Sequence, residues 1–184
     1  MRNLTGGGNL IDVNVIISET HVSEKMKVAD LGCGTTGFLL FLLSSIVGKK
    51  GKVYAVDILK PVLETINRRV RQENIDNINT VWSNLEVFNA TKIESGSLDA
   101  VFLVNTLYQS QNRTEILRES IRMLKKRGKM VIVDWKNVSV PFGPPVEERV
   151  KIDILRNGAP KLGLKLEQEF TAGYYHDGLI FEKL

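Results

Sequence analysis

The sequence predicts an α/β fold: a doubly wound, mostly parallel sheet of seven strands, with helices on both faces and an antiparallel C-terminal strand pair. Three observations predict this class. Short apolar segments alternate with longer helical segments, which is the pattern of βαβ units. A glycine-rich turn joins the first apolar segment to the helix after it. Two closely spaced β-like segments end the sequence, and a length of 184 residues suits one domain covering residues 1–184.

Five apolar segments form the predicted parallel strands. The first leads into the glycine-rich turn, the second ends in Asp57 and the fifth ends in Trp135. The fourth is almost continuously apolar, so we place it near the centre of the sheet, where both faces of a strand are buried. In chain order these strands cover residues 27–31, 53–57, 77–83, 98–104 and 130–135.

Four helices are predicted between and after these strands. Pro61 suits the first turn of the second helix, and the third opens at Asn112 and ends before Gly128. The fourth follows the proline-rich loop at 141–145 and ends near Gly158, a residue type that suits a C-cap. In chain order the helices cover residues 38–47, 61–72, 112–127 and 146–157.

The C-terminal region contains two β-like segments, residues 164–170 and 179–183, with a short glycine-containing connection. Strands joined this closely favour an antiparallel pair. The connection contains His176. A histidine in a hairpin connection is more often a solvated turn residue than a functional one, so we expect His176 to be solvated and keep it only as a second-rank catalytic candidate.

The composition is that of an ordinary globular protein, with 43% hydrophobic and 25% charged residues. It excludes disordered, collagenous and membrane-spanning chains, since the longest apolar run, residues 38–43, is far below the ~20 residues that a bilayer requires. We expect no secretory signal, because no hydrophobic region follows the N-terminal charge. One cysteine, Cys33, and two histidines argue against a disulfide framework and a bound metal, so we expect the cytoplasm.

The most specific feature is the turn at residues 30–37, between a strand and a helix. Gly32, Gly34 and Gly37 fit the pattern G-x-G-x-x-G, in which glycines allow a tight turn and a close approach of a ligand to the backbone. Asp57 ends the next strand, where an acid can accept hydrogen bonds from ribose hydroxyls. The loop, its strand context and this acid together predict a cofactor that contains adenosine.

Asp30, just before the first glycine, bears on which cofactor is bound. A carboxylate here would repel the pyrophosphate of a dinucleotide, which binds this type of loop. It would suit a cationic group, such as the sulfonium and ammonium of S-adenosylmethionine. The alternative is that Asp30 is a strand-end residue that bonds loop amides. The loop and Asp30 thus favour S-adenosylmethionine, whose product would be S-adenosylhomocysteine, over a dinucleotide and leave the structural role of Asp30 open.

These segments resemble a known family, the Rossmann-fold S-adenosylmethionine-dependent methyltransferases, in particular its small branch similar to ubiquinone/menaquinone-biosynthesis methyltransferases. Residues 28–37 and 53–57 resemble the first and second motifs of the family. Residues 81–84 match the third, although this chain has Asn84 where the family usually has Asp. Residues 98–105 resemble the fourth.

Two further segments extend the resemblance over nearly the whole chain. Residues 124–129 resemble the Leu-Lys-Pro-Gly-Gly turn before strand five, with Lys126 and Arg127 in place of Pro and Gly. Residues 6–8, three glycines, resemble a family segment that folds over the cofactor. A disordered tail is an equal alternative for them.

The resemblance implies a role for each matching position. The three loop glycines would lie against the methionine part of the cofactor and Asp57 would hold the ribose. Asn84 would bond the adenine amine through its carbonyl oxygen. Ile58 and Leu85 would pack on the adenine or simply belong to the core. The predicted cofactor-binding residues are Asp30, Gly32, Gly34, Gly37, Asp57, Ile58, Asn84, Leu85 and Asn105, the last lining the site near the methionine group.

Methyl transfer from a sulfonium is an in-line displacement, so an enzyme mainly has to align the reactants and exclude water. No catalytic base is required, and we name only two candidates. Tyr108 follows Asn105 by about one helical turn and could reach the far side of the methyl, or could pack on its own loop. His176 is the other. The residues expected at the mouth of the site are Tyr108, Gln109, Trp135, Phe142 and Tyr175.

The acceptor expected from the sequence is a small molecule. Residues 105–108 lack the Asn-Pro-Pro-Tyr core of enzymes that methylate base amines, and Cys33 lies inside the loop, so it is no nucleophile. The basic runs at 67–71 and 125–129 are expected beside helix ends, the second of them at the sheet edge opposite the cofactor, so nucleic acid is not favoured. The alternatives are an RNA or protein methyltransferase with the same core, a non-catalytic cofactor-binding module and a nicotinamide-dependent oxidoreductase.

Overall fold

The computed structural model describes residues 10–184, which form a sheet of seven strands. The strands are β1 (Lys27–Leu31), β2 (Lys52–Asp57), β3 (Ile78–Trp82), β4 (Leu98–Val104), β5 (Leu124–Trp135), β6 (Leu164–Thr171) and β7 (His176–Lys183). Their order is β3-β2-β1-β4-β5-β7-β6. β1 to β5 are parallel, and β7 is antiparallel to β5 and β6. The predicted fold class is confirmed. The predicted segment at residues 6–8 lies outside the described residues.

The described residues contain five α-helices and three short 3-10 helices. The α-helices are α1 (Val13–Thr20), α2 (Phe38–Val47), α3 (Lys60–Gln72), α4 (Arg113–Met123) and α5 (Ile152–Gly158). The 3-10 helices cover Leu107–Gln109, Val146–Glu148 and Ala159–Leu162. The second and third predicted helices are present as α3 and α4, although α4 ends earlier than predicted.

Helix α1 was not predicted, because its sequence is rich in β-branched residues with low helix propensity. Its N-terminus is stabilised by the carboxylate of Asp12, which accepts hydrogen bonds from the backbone N–H groups of Asn14 (3.0 Å) and Val15 (3.3 Å). The backbone N–H of Asp12 donates to the carbonyl of Ala172 at 2.9 Å. The start of α1 is therefore tied to the connection between β6 and β7.

The helix predicted over 146–157 is wrong as one element. The structure has the 3-10 turn Val146–Glu148, then an extended Arg149 (φ −66°, ψ 153°), and then α5. The side chain of Arg149 is buried and donates to backbone carbonyls of the preceding loop. These hydrogen bonds hold the chain in an extended conformation where the sequence pattern favours a helix.

Strand β5 begins six residues before the predicted start, because the chain passes directly from α4 into the strand. Leu124 pairs with Leu98 and Lys129 with Ala100, and the register shift between them accommodates the turn that was predicted here. The basic run 125–129 therefore follows the C-cap of α4 directly, as expected, and forms the amino end of β5.

The sheet is buried on both faces, as the prediction of helices on both sides requires. Phe102, Val131 and Ile180 share one apolar cluster with residues of α1, α2 and α3. The alternate positions of the same strands share a second cluster with α4 and α5. β4 is the fourth of seven strands, which confirms its central place. Strand order reverses between β1 and β4, and ligands of open α/β sheets bind at the carboxyl edge beside such a reversal.

Candidate functional site

The three glycines of the loop after β1 have different surroundings. All have positive φ angles, 82° at Gly32, 62° at Gly34 and 54° at Gly37, which favour glycine. A Cβ atom on Gly32 would lie 2.8 Å from Thr106 Oγ1, and one on Gly37 would lie 2.8 Å from Ile66 Cδ1. A Cβ atom on Gly34 would meet no atom within 4 Å. Two glycines therefore allow close packing, while Gly34 borders open space.

The open space beside Gly34 belongs to a cavity of about 400 Å³ at the carboxyl ends of β1, β2 and β3. Three predicted cofactor-binding residues, Asp30, Gly37 and Asn105, do not line it. Six predicted cofactor-binding residues do, namely Gly32, Gly34, Asp57, Ile58, Asn84 and Leu85.

Eight further residues line the same cavity, of which Gln109 was expected at the mouth of the site and the other seven were missed. Most belong to the segments that follow β3 and β4, which the topology brings to the same edge of the sheet. No motif marks them, and the available signal was only their position after a strand. They are Leu59, Val62, Ser83, Glu86, Thr106, Gln109, Ser110 and Ile116.

Asp57 is held in place by the backbone around it. Its Oδ2 accepts a hydrogen bond from the Gly34 N–H at 3.2 Å, and its Oδ1 accepts one from the Leu59 N–H at 2.9 Å. Each carboxylate oxygen can accept more than one hydrogen bond. The carboxylate is therefore fixed at the end of β2 with acceptor capacity left on both oxygens.

The loop after β3 is shaped by Asn84. Its side-chain carbonyl oxygen accepts a hydrogen bond from the Glu86 N–H at 2.9 Å, which closes a local turn. Across the cavity, the carbonyl of Ile58 accepts a hydrogen bond from Trp82 Nε1 at 2.8 Å. The side chain of Ile58 is 52% exposed, while Leu85 is buried. Ile58 thus offers an apolar surface to a ligand, and Leu85 is also part of the core, which was the alternative stated for it.

Glu86 connects the loops after β3 and β4. One carboxylate oxygen accepts a hydrogen bond from Ser110 Oγ at 2.6 Å and the other accepts one from Asn112 Nδ2 at 2.9 Å. These two hydrogen bonds favour the ionised form and lower the pKa of Glu86 below its ordinary value. The link closes one side of the cavity.

Asp30 is buried near the end of β1, with 4% of its surface exposed. Burial, together with the negative charge of Asp57, raises the pKa of Asp30 to about 7. The same two causes, with the charge of Asp30 added, raise the pKa of the buried Cys33 thiol. A cation beside Asp30 would restore its ionised form, and the raised thiol pKa makes Cys33 a poor nucleophile.

Comparison with known proteins decides the family. Residues 22–169 match the family described as Methyltransferase domain. The chain belongs to this family. The predictions of a methyltransferase fold and of an enzyme class are confirmed by this membership.

Two curated relatives of this methyltransferase domain have names that refer to menaquinone. It is 31% identical over 117 residues to the demethylmenaquinone methyltransferase of Lactococcus lactis, covering 64% of this chain and 45% of that protein. It is 28% identical over 151 residues to the ubiquinone/menaquinone biosynthesis C-methyltransferase UbiE of Shewanella sediminis, covering 82% of this chain and 57% of that protein. The predicted resemblance to this branch is confirmed, and the chain spans about half the length of these relatives.

Solved structures agree with this. A SAM-dependent methyltransferase from Aquifex aeolicus superposes with a TM-score of 0.86 at 26% identity, covering 95% of this chain and 91% of that one. A putative type 11 methyltransferase from Sulfolobus solfataricus gives a TM-score of 0.73 at 23% identity, covering 93% and 91%. The second shows the fold alone.

Tyr108 of the methyltransferase domain lies in the 3-10 turn after β4. Its ring packs on the apolar cluster of α4 and β5, and its backbone N–H donates to Asp134 Oδ2 at 3.3 Å. Burial and the charges of Asp134 and Glu148 raise the pKa of the Tyr108 phenol. Burial also raises the pKa of Asp134 to about 6. These contacts agree with the packing role that was the alternative for Tyr108.

His176 is not the solvated turn residue that the sequence favours. It is the first residue of β7, which starts earlier than predicted, and none of its surface is exposed. It pairs with Trp135 across the antiparallel ladder, with ring centroids 4.4 Å apart. Trp135, expected at the mouth, is buried too. His176 was expected to be solvated because its pairing with the Trp135 ring is visible only from the strand register.

Membrane spans, metal clusters and the charges at the far edge of the sheet were the remaining features to place. Among residues 10–184 no helix has the length and apolar character needed to cross a bilayer. In the same residues no group of three or more His, Cys, Asp or Glu side chains is placed to hold a metal ion. At the opposite edge of the sheet, Lys125 pairs with Asp99 and Lys129 with Glu167.

Proposed function

We propose that this domain binds S-adenosylmethionine in the cavity beside Gly34 and transfers its methyl group to a small-molecule acceptor. S-adenosylmethionine is the cofactor and S-adenosylhomocysteine the product. The observation that carries the proposal is the anchored Asp57 carboxylate next to the open face of Gly34. A fixed pair of acceptor oxygens beside exposed backbone suits the two ribose hydroxyls of an adenosine.

The residues present fit the two ends of this cofactor. Around the adenosine, Asp57 would bind the ribose, Ile58 and Leu85 would contact the adenine, and Asn84 would bond its amine. Asn84 Oδ1 already accepts one hydrogen bond, from Glu86, and a carbonyl oxygen can accept a second. At the methionine end, the buried carboxyl of Asp30 suits a cationic group.

Asn105 supports the same assignment. It adopts a left-handed conformation (φ 54°) directly after β4, and its buried Oδ1 has no hydrogen-bond partner among residues 10–184. Its backbone N–H donates to the Val133 carbonyl at 2.9 Å, which fixes it at the carboxyl edge. An unpaired buried acceptor at this position fits an ammonium donor.

The cofactor, when bound, supplies a methyl group on a positively charged sulfur. The chain's own contribution is to hold the donor with Asp57 and the loop glycines and to keep water away with the segments after β3 and β4. Glu86 joins those segments through Ser110 and Asn112. Alignment and exclusion of water are what an in-line displacement needs, so no base is assigned.

A small acceptor is supported by the charges around the cavity. Its charged lining residues are Asp57 and Glu86, both acidic, and these would repel nucleic-acid phosphates. The basic run 125–129 lies at the opposite edge, where Lys125 and Lys129 are paired with acids. The relatives named as quinone methyltransferases act on small molecules, and we extend that class to this chain. A single domain and the cytoplasm stay predictions.

The test begins with mass spectrometry of the purified protein and calorimetry with S-adenosylmethionine. The protein is then incubated with methyl-labelled cofactor and, separately, a demethylmenaquinol, total RNA and a protein extract. We expect bound S-adenosylmethionine or S-adenosylhomocysteine and label in the small-molecule fraction. Bound NAD would overturn the cofactor assignment, and label in RNA or protein would overturn the acceptor class.

A further inference from the structure

The buried polar atoms that lack partners lie in one part of the molecule. Within residues 10–184 they are Asn105 Oδ1, Trp135 Nε1 and both ring nitrogens of His176. Asn105 directly follows β4, Trp135 ends β5 and His176 begins β7. These strands are consecutive in the sheet, so all of the atoms lie along one stretch of its carboxyl edge. Buried polar groups are normally paired, so such a concentration requires an explanation.

Trp135 and His176 form the centre of this stretch. They are register partners of β5 and β7, with ring centroids 4.4 Å apart and an interplanar angle of 48°. Phe142 lies 6.2 Å from the Trp135 ring, and its own ring meets Tyr175 edge-on at 4.9 Å. The two polar side chains are thus surrounded by aromatic surfaces that suit a planar ring.

The hydrogen-bonding capacity of the pair is specific. The Trp135 indole can only donate, whereas a neutral imidazole donates from one nitrogen and accepts at the other. Burial lowers the pKa of His176 to about 4, and the charges of Arg149 and Lys136 act in the same direction. The Leu10 carbonyl lies close enough to oppose this fall, but completes no hydrogen bond with the ring. His176 is therefore neutral at pH 7.

We propose that Trp135 and His176 recognise a hydroxyl group on a planar ring of the methyl acceptor. Trp135 Nε1 donates to the hydroxyl oxygen, and the hydroxyl donates to the unprotonated nitrogen of His176. A hydroxyl suits the Trp135 donor and the unprotonated nitrogen of His176 together, since it accepts and donates at one oxygen. This inference rests on the proposed function, because the acceptor has to meet the donor cavity, whose lining includes Thr106, the residue after Asn105.

The loop that contains Phe142 and Gly143 packs against the Trp135 member of the pair. A Cβ atom on Gly143 would lie 2.7 Å from the Trp135 ring, so the loop backbone lies directly against the indole. Arg149 holds this loop by donating to the carbonyls of Pro144 (3.0 Å), Lys136 (2.7 Å) and Val138 (2.6 Å). Acceptor binding therefore requires the segment around Gly143 to move away from Trp135.

Nuclear magnetic resonance tests the proposal directly, because the chain has two tryptophans. The indole N–H of Trp82 is bonded to the Ile58 carbonyl and serves as an internal control. With S-adenosylhomocysteine at saturation, the probes are 2-naphthol and naphthalene, which share a ring system and differ in the hydroxyl. We expect 2-naphthol to shift the Trp135 indole signal and naphthalene to bind more weakly. An unchanged Trp135 signal at saturating 2-naphthol would overturn the proposal.

Variants separate recognition from packing. His176→Phe keeps a ring and removes both nitrogens, and Trp135→Phe removes the indole donor. Each should weaken binding of 2-naphthol about tenfold, the loss of one buried hydrogen bond, and leave naphthalene binding within about twofold. His21→Asn, at the C-cap of α1, is the matched control and should change neither. Equal loss for both probes would show that the residues act only in packing.

Failure of this inference is distinguishable from failure of the proposed function. Calorimetry with S-adenosylhomocysteine is run on every variant, and its affinity should stay within about twofold of wild type. Absence of cofactor binding by the wild-type protein would defeat the proposed function. Normal cofactor binding with no preference for 2-naphthol over naphthalene would defeat the acceptor subsite alone. If His176→Phe does not fold, the Trp135 indole signal of the wild-type protein and the probe affinities of Trp135→Phe still test the acceptor subsite.

Discussion

The carboxyl edge of the sheet has two halves that are built differently. In the half formed by β1, β2 and β3, Asp57 and Asn84 each accept hydrogen bonds from the nearby backbone. In the half formed by β4, β5 and β7, Trp135 and His176 are buried with polar atoms that no described residue pairs. The polar side chains of the first half are already anchored by backbone hydrogen bonds, while the buried polar atoms of the second half have no such anchor. The first half is specified by a local sequence motif, whereas the second half is formed by the pairing register of distant strands.

The largest expected effect is the loss of cofactor binding when the first half is disrupted at Gly34. Gly34→Val should abolish S-adenosylmethionine binding, because its side chain would fill the cavity from a backbone with positive φ. Gly48→Val is the matched control, since Gly48 also has positive φ (65°) and open surroundings but caps the far end of α2. Calorimetry should show lost binding only for Gly34→Val. Equal binding by both folded variants would contradict the site.

Removal of the ribose acid tests the same half with a smaller change. Asp57→Ala should weaken S-adenosylmethionine binding by about 2–4 kcal/mol, because two hydrogen bonds to a charged acceptor are lost. Asp76→Ala, an exposed aspartate before β3, should leave the affinity unchanged. The fold of both variants is checked by thermal unfolding. An unaltered affinity in folded Asp57→Ala would remove the ribose assignment.

The stability of the second half is tested by replacing the buried Arg149. Arg149→Met should lower the free energy of unfolding by about 2–3 kcal/mol, because three loop carbonyls lose their charged donor. Arg156→Met, on an exposed arginine that pairs with Asp153 and Glu169, should change it little. Denaturant titration measures both. Cofactor affinity should stay within about twofold, and a large loss would show that the two halves are not independent.

The smallest expected effect is a pH dependence of cofactor binding that arises from Asp30 in the first half. Since the pKa of Asp30 is raised to about 7, it is mostly protonated at pH 6 and must ionise to bind a cation. Affinity for S-adenosylmethionine should therefore rise about tenfold from pH 6 to pH 8. The rise should be smaller for S-adenosylhomocysteine, whose sulfur is neutral, and absent in Asp30→Asn. Identical pH profiles for both ligands would assign Asp30 to the loop or to the shared ammonium.

The fold and the first half of the site were predictable because their signals are local. Glycines at fixed spacing, an acid at a strand end and short apolar runs each depend on a few neighbouring residues. The predicted bounds of β1, α2 and β4 agree with the structure for this reason. Helix α1 was missed because Asp12, its capping residue, precedes a β-branched segment that does not look helical.

The remaining errors have long-range causes. The predicted helix over 146–157 is broken because Arg149 bonds to carbonyls up to thirteen residues away. The burial of His176 depends on its pairing with Trp135, which is distant in sequence. Seven cavity-lining residues were missed, most of them because only the topology brings the segments after β3 and β4 together. Local periodicity carries no information on such contacts.

The hydrogen bond from Asp12 to Ala172 has a consequence for biosynthesis. Ile11 and Ile16, at the start of the described chain, share their apolar cluster with Ala172 and Ile180 of the C-terminal hairpin. During translation the hairpin leaves the ribosome long after α1 does. The contacts of α1 with the hairpin therefore form only after the hairpin has been synthesised. Because these contacts join residues far apart in sequence, the docking of α1 against the hairpin is a late step of folding during synthesis.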